Sequence, residues 1–266
     1  MSLLGELTFV FLAGLVTALA TGLGALPFFI VDDVSDRVNV GLWGLASGIM
    51  VAASLFGLFD KGLAAGTVME VAGGAGAGVL LVELADRLLE GYEFEATELA
   101  TADGRKLVLI LGVLTVHSFP EGVAVGVSFV DLGLAGGVRV FGMAIPLLAI
   151  FMTLAISVHN IPEGLAISIP LRAMGQSRWR MVGAAVFSSL PQPIGAVLAY
   201  AFVEFSRQLL PIGFGFAAGA MIYLVLTEFI PEALETGAAL PDRGLKPLVI
   251  GVTAGVVLML PLLLIG

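Results

Sequence analysis

His117-Ser118-Phe119-Pro120-Glu121-Gly122 and His159-Asn160-Ile161-Pro162-Glu163-Gly164 are two near-copies of one phrase, and they hold the only two histidines of the chain. Each lies inside an apolar stretch of helix length. Residues four apart share a helix face, so His117 with Glu121, and His159 with Glu163, each present an imidazole and a carboxylate in one direction. Two such helices side by side bring two nitrogens and two carboxylates to one cage, a donor set suited to a divalent transition metal. Pro120 and Pro162 cannot donate to the carbonyls of Val116 and Val158, so they kink their helices and free those carbonyls to face a cavity. Gly122 and Gly164 remove side-chain bulk where two backbones approach.

The surroundings of the phrases set the fold class. Over 266 residues, 59% are hydrophobic and 12% charged, against about 25% charged in an ordinary soluble domain. That composition is that of a polytopic membrane protein. There is no cysteine, so disulfides, thiolate metal sites and cysteine nucleophiles are excluded. A metal must therefore be held by His, Glu, Asp or neutral oxygens. The net charge of -9 comes mainly from loops and helix ends, including Asp32, Asp33, Asp36, Glu93, Glu95, Glu98 and Asp103. No basic stripe exists to neutralise phosphates, which disfavours nucleic acid as a partner. The amino terminus lacks the basic region of a signal peptide and reads as a retained first span.

Apolar windows of about 20 residues fall at roughly 4–30, 40–59, 66–89, 107–130, 141–170, 180–203, 210–235 and 247–265, giving an all-α chain of eight spans in a single transmembrane domain covering residues 1–266. Basic residues in short loops set orientation. The odd loops carry Arg37; Arg87, Arg105 and Lys106; Arg172, Arg178 and Arg180; and Arg243 and Lys246. The even loops hold Lys61, Arg139 and Arg207. The odd loops are thus expected in the cytoplasm, with both termini outside. His117 and His159 then fall near the middle of antiparallel fourth and fifth spans. An ionisable group at that depth costs about 2.5 kcal/mol or more, and such groups are usually paired and functional.

Other polar landmarks are less specific. The run Ser188-Ser189-Leu190-Pro191-Gln192-Pro193 places hydroxyls and an amide beside two prolines in the sixth span. Glu228 and Glu232 share a face of the seventh span and either form an exit relay or meet water. Met50 and Ser54 read, from the residues alone, as packing positions. The glycine run Gly73-Gly74-Ala75-Gly76-Ala77-Gly78 allows close helix approach and lacks the Lys-Ser/Thr of a phosphate loop. The polar connection at about 91–105 is too short for a second domain.

The two phrases, in this order on neighbouring spans, closely resemble the ZIP family (Zrt- and Irt-like proteins) of divalent metal transporters, in its prokaryotic zinc-uptake and GufA-like branch. Ala46-Ser47-Gly48-Ile49-Met50-Val51-Ala52-Ala53-Ser54, Pro191-Gln192-Pro193-Ile194-Gly195-Ala196 and the Glu-Phe-Ile-Pro-Glu run at 228–232 support the likeness. The resemblance implies a 3+2+3 helix arrangement, a homodimer in the cytoplasmic membrane of a prokaryote, and movement of Zn²⁺, or of Fe²⁺, Mn²⁺ or Cd²⁺, into the cytoplasm by alternating access. Carried over by position, the primary metal ligands are His117, Glu121, His159 and Glu163. A secondary metal position would involve Ser118, Asn160 and Gln192. Met50 would line the outer approach, and Glu228 and Glu232 the inner release path.

Ser118, Asn160 and Gln192 are all neutral, whereas binuclear members of the family tend to use Asn, Asp and Glu there. Two adjacent dications would have only Glu121 and Glu163 to offset them, and their repulsion at low dielectric is severe. One tightly held metal is therefore expected, as transported substrate and not as a resident cofactor. The competing reading is an intramembrane metalloenzyme using the same cage to activate water or dioxygen. It lacks the His-Glu-x-x-His pattern of zinc hydrolases. A structural metal staple fits poorly with a kinked, glycine-rich site.

Overall fold

The computed structural model describes residues 2–90, 102–133, 137–140 and 143–261. Most of the polar connection at 91–105, with Glu93, Glu95 and Glu98, and the end of the expected eighth span at 262–265 lie outside the described residues. The chain is a polytopic membrane protein that is helical but for one short hairpin, and among the described residues it has eight helices: α1 (Leu3–Phe29), α2 (Asp36–Ala65), α3 (Val68–Glu90), α4 (Ala102–Ser128), α5 (Leu147–Ala173), α6 (Arg178–Phe205), α7 (Arg207–Thr236) and α8 (Leu245–Met259). Among the described residues, six helical segments are long and apolar enough to cross a membrane: α1, α2, residues Val68–Leu88 of α3, and α5 to α7.

Local chemistry sets the helix ends. Thr67 and Glu70 form a reciprocal cap at the start of α3: the Thr67 N–H donates to Glu70 Oε2 at 2.7 Å, and the Glu70 N–H donates to Thr67 Oγ1 at 3.3 Å. Gly175, at φ +70°, closes α5. Its N–H reaches the Arg172 carbonyl, and that of Gln176 reaches Leu171, the two bonds of a left-handed helix stop. Ser177 then caps α6.

Four helices depart from regular α geometry. α1 tightens to a 3₁₀ helix over Gly22–Phe29. α6 breaks at Ser189 and Leu190 and restarts at Pro191, whose missing N–H is harmless in a first turn. α2 and α7 each contain a π turn, Ala53–Phe59 and Val225–Phe229. Pro120 and Pro162, in contrast, leave α4 and α5 unbroken. A short antiparallel hairpin, β1 (Val138–Val140) and β2 (Met143–Ile145), joins α4 to α5, pairing Val138 with Ile145. The all-α expectation did not contain it, because three-residue strands leave no periodicity to read.

The closest helix pairs are α2 with α8, α3 with α7, α4 with α6, and α1 with both α5 and α6. The two repeated phrases lie at close seams of α4 and α5. A Cβ on Gly122 would overlap the Gln192 carbonyl, and one on Gly164 would overlap the Thr21 carbonyl. The glycines thus dock α4 on α6 and α5 on α1, as the phrases suggested. Contacts of α4 with α5 and α7, and of α5 with α2, bring the two phrases into the middle of the bundle.

Candidate metal centre

Both phrases sit on unbroken helices, so the four-residue spacing does place each His and Glu on a common face. The crossing of α4 and α5 then brings Glu121, His159 and Glu163 together, with one ligand atom from each lying within 4.8 Å of the others. His159 Nε2 is 3.2 Å from Glu121 Oε1 and 3.4 Å from Glu163 Oε1. All three side chains are buried. Two carboxylates packed this closely away from water repel each other, and a dication between them relieves that repulsion more fully than one imidazolium can.

His117, the fourth expected ligand, is buried too, but its ring points elsewhere. His117 Nε2 lies 3.0 Å from Asp86 Oδ1 of α3. With Glu228 of the α7 π turn, Asp86 and His117 form a second three-residue group whose ligand atoms all lie within 4.8 Å. The four phrase residues are thus divided between two groups: three in one, His117 in the other. Since His117 and Glu121 are one turn apart on α4, the two groups share a helix.

The neutral residues flanking the first group form a hydrogen-bonded chain. Gln192 Nε2 donates to Glu121 Oε2. Asn160 Nδ2 donates both to Gln192 Oε1 at 3.0 Å and to the Thr17 carbonyl at 2.7 Å. Ser118 instead turns back on its own helix, its hydroxyl donating to the Leu114 carbonyl at 2.9 Å. Nearby, Thr21 and Ser189 share a 2.7 Å hydroxyl contact. Met50 is buried in the main apolar cluster, and Glu232 is exposed.

Three contributors escaped the sequence reading. Asp86 follows Glu83 near the polar end of α3, where a carboxylate looks like an ordinary solvated helix end. Only the α3–α4 crossing reveals its partner. Nothing in the sequence singles out Trp43, and Phe229 stands out only as part of the run at 228–232, yet the Phe229 ring stacks on His159 with centroids 5.1 Å apart and planes at 18°, and Trp43 packs on Phe229 at 4.9 Å.

Comparison with known proteins agrees with this chemistry. Residues 83–263 match the family described as ZIP Zinc transporter. The chain is 34% identical to the zinc transporter GufA of Myxococcus xanthus over 85% of its length and 90% of that relative. It is 36% identical to the zinc transporter ZIPB of Bordetella bronchiseptica, over 82% of this chain and 70% of that one. It is also 41% identical to an Arabidopsis thaliana relative, of which it spans only 34%. These matches set the metalloenzyme alternative aside, for the family is one of transporters. A multi-pass membrane protein with buried His/Glu groups, the chain belongs to the ZIP zinc transporter family.

Proposed function

We propose that this chain moves divalent transition metal, Zn²⁺ foremost, across the cytoplasmic membrane into the cytoplasm by alternating access, with Glu121, His159 and Glu163 as the substrate site. The observation that carries the reading is the convergence of those three buried groups from two helices. Their nitrogen and oxygen donors also suit Fe²⁺, Mn²⁺ and Cd²⁺. His117 completes a four-ligand set in the substrate-loaded state and, one turn along α4, hands the ion to Asp86 and Glu228. These two lie toward the cytoplasmic exit in the orientation read from the basic loops, with both termini outside. Glu232 lies beyond them, and Met50 borders the outer approach.

A single ion per substrate site follows from the flanking amides. Gln192 presents a donor to Glu121, which occupies a lone pair that a second cation would need. Asn160 spends its donors on Thr17 and Gln192. Gln192, itself held by Asn160, therefore orders Glu121 in place of a second ion, while Ser118 is turned back on the Leu114 carbonyl. The homodimer and the 3+2+3 arrangement belong to the same reading, by analogy with the family.

Radiolabelled Zn²⁺ uptake into proteoliposomes tests it. Wild-type protein is expected to load the vesicles, and His159→Ala and Glu163→Ala to lose uptake. Equal uptake by all three would end the proposal.

A further inference from the structure

A metal-binding histidine ordinarily donates its second ring N–H to a carboxylate or carbonyl, and that bond fixes the plane of the imidazole. His159 Nδ1 is buried and has no such partner among the described residues. Besides its Nε2 contacts with Glu121 and Glu163, the ring lies against an aromatic face. Phe229 stacks on it at 5.1 Å with planes only 18° apart, and Trp43 packs on Phe229 at 4.9 Å and 58°. His159, Phe229 and Trp43 are respectively 0%, 1% and 4% exposed, so none of the rings is free to swing into solvent. Three helices supply them: α5, α7 and α2.

We propose that Phe229, braced by Trp43, is a positioning residue that sets the plane of the His159 imidazole, so that Nε2 faces Glu121 and Glu163. The stacked geometry lies within the range favoured by aromatic pairs, and it restrains rotation about the ring bond that a missing Nδ1 hydrogen bond leaves free. Backbone geometry supports the assignment. Phe229 ends the π turn Val225–Phe229, and its neighbour Glu228 belongs to the Asp86–His117 group. A π turn carries an extra residue, and such turns recur at functional positions. Here it lets adjacent side chains serve different groups: Glu228 reaches Asp86 and His117, and Phe229 reaches His159.

The inference rests on the reading of Glu121, His159 and Glu163 as a metal site, and the experiment separates the two. Purified full-length protein is titrated with Co²⁺, whose visible absorption reports ligand geometry, and with Zn²⁺ in competition. Phe229→Leu keeps apolar bulk but removes the ring, while Phe229→Tyr keeps the ring. Phe229→Leu is expected to weaken metal binding about ten-fold, the lower end of what outer-shell losses cost, and to alter the Co²⁺ spectrum. Phe229→Tyr is expected to restore both. If Glu163→Gln abolishes Co²⁺ binding while Phe229→Leu keeps wild-type affinity and spectrum, the positioning role is wrong and the metal site stands. If Glu163→Gln leaves binding unchanged, the metal site itself is wrong. Equal weakening by Leu and Tyr would also overturn the role of the ring.

A measurement on wild-type protein guards against variants that fold poorly. With only two histidines in the chain, labelled His159 is resolvable by NMR, and its ring protons are expected to be shifted upfield by the Phe229 ring current. Unshifted protons would overturn the stack.

Discussion

Gln192 Nε2 donates to Glu121 Oε2 across the α4–α6 seam, and the contact exists because Gly122 lets α4 close onto the Gln192 backbone. One glycine thus places an uncharged donor beside a buried carboxylate.

Gln192→Glu is expected to raise the bound zinc from one ion to two per chain, measured by mass spectrometry of the metal content of purified protein. The new carboxylate removes the donor from Glu121 and adds the negative charge that a second dication requires. Gln192→Leu, in contrast, leaves Glu121 Oε2 unsatisfied and is expected to lower stability by about 1.5–3 kcal/mol, the usual worth of a hydrogen bond to a charged group. Thermal unfolding in detergent would record it.

The two carboxylate groups should separate binding from turnover. Glu163→Gln keeps shape and removes charge, and is expected to weaken Zn²⁺ binding by at least the roughly 10–100-fold that outer-shell changes cost. Asp86→Asn lies in the other group. It is expected to leave equilibrium affinity at Glu121, His159 and Glu163 near wild type while slowing uptake into proteoliposomes. Calorimetry alongside uptake rates distinguishes the two outcomes.

Gly164→Ala should act on packing before chemistry. The added methyl would overlap the Thr21 carbonyl of α1, and backbone cannot yield as a flexible side-chain tip can. A loss of about 1–3 kcal/mol is expected, the range for overpacking, read as a lowered melting temperature. Gly73→Ala, with nothing within 4 Å of its added Cβ, serves as the control and should melt as wild type.

Zinc binding should release protons. Imidazole must be neutral and carboxylates ionised to ligate a metal, so protons compete for the same atoms. Affinity is therefore expected to fall as pH is lowered. Acidification of a weakly buffered solution on adding Zn²⁺ to wild-type protein, and its loss in Glu163→Gln, would be the readout. Binding without proton release would contradict this.

How much of this was legible beforehand differs from residue to residue. The pairing of His117 with Glu121 and of His159 with Glu163 on one helix face was readable because each phrase repeats one helical offset in an apolar span, and helical periodicity is local; the four-ligand cage expected from it is divided, with His117 in a separate group. The role of Gly122 and Gly164 was readable for a similar reason, since small residues within membrane helices mark close approach. The break in α6 was hidden: the run at 188–193 reads as hydroxyls and an amide beside two prolines, and not as a helix restart at Pro191. The π turns of α2 and α7 were hidden as well, because one inserted residue disturbs periodicity too little to notice.

What the sequence by itself determined is the set of chemical partners within each helix: an imidazole and a carboxylate one turn apart, twice, each inside an apolar stretch of helix length. Only the tertiary structure decided which groups on different helices meet. It turned His117 toward Asp86 and Glu228, left His159 with Glu121 and Glu163, and laid Phe229 against the His159 ring. The physical reason is one of range. Backbone hydrogen bonding fixes neighbours three and four residues apart, whereas the direction a buried side chain takes depends on where the neighbouring helices cross it.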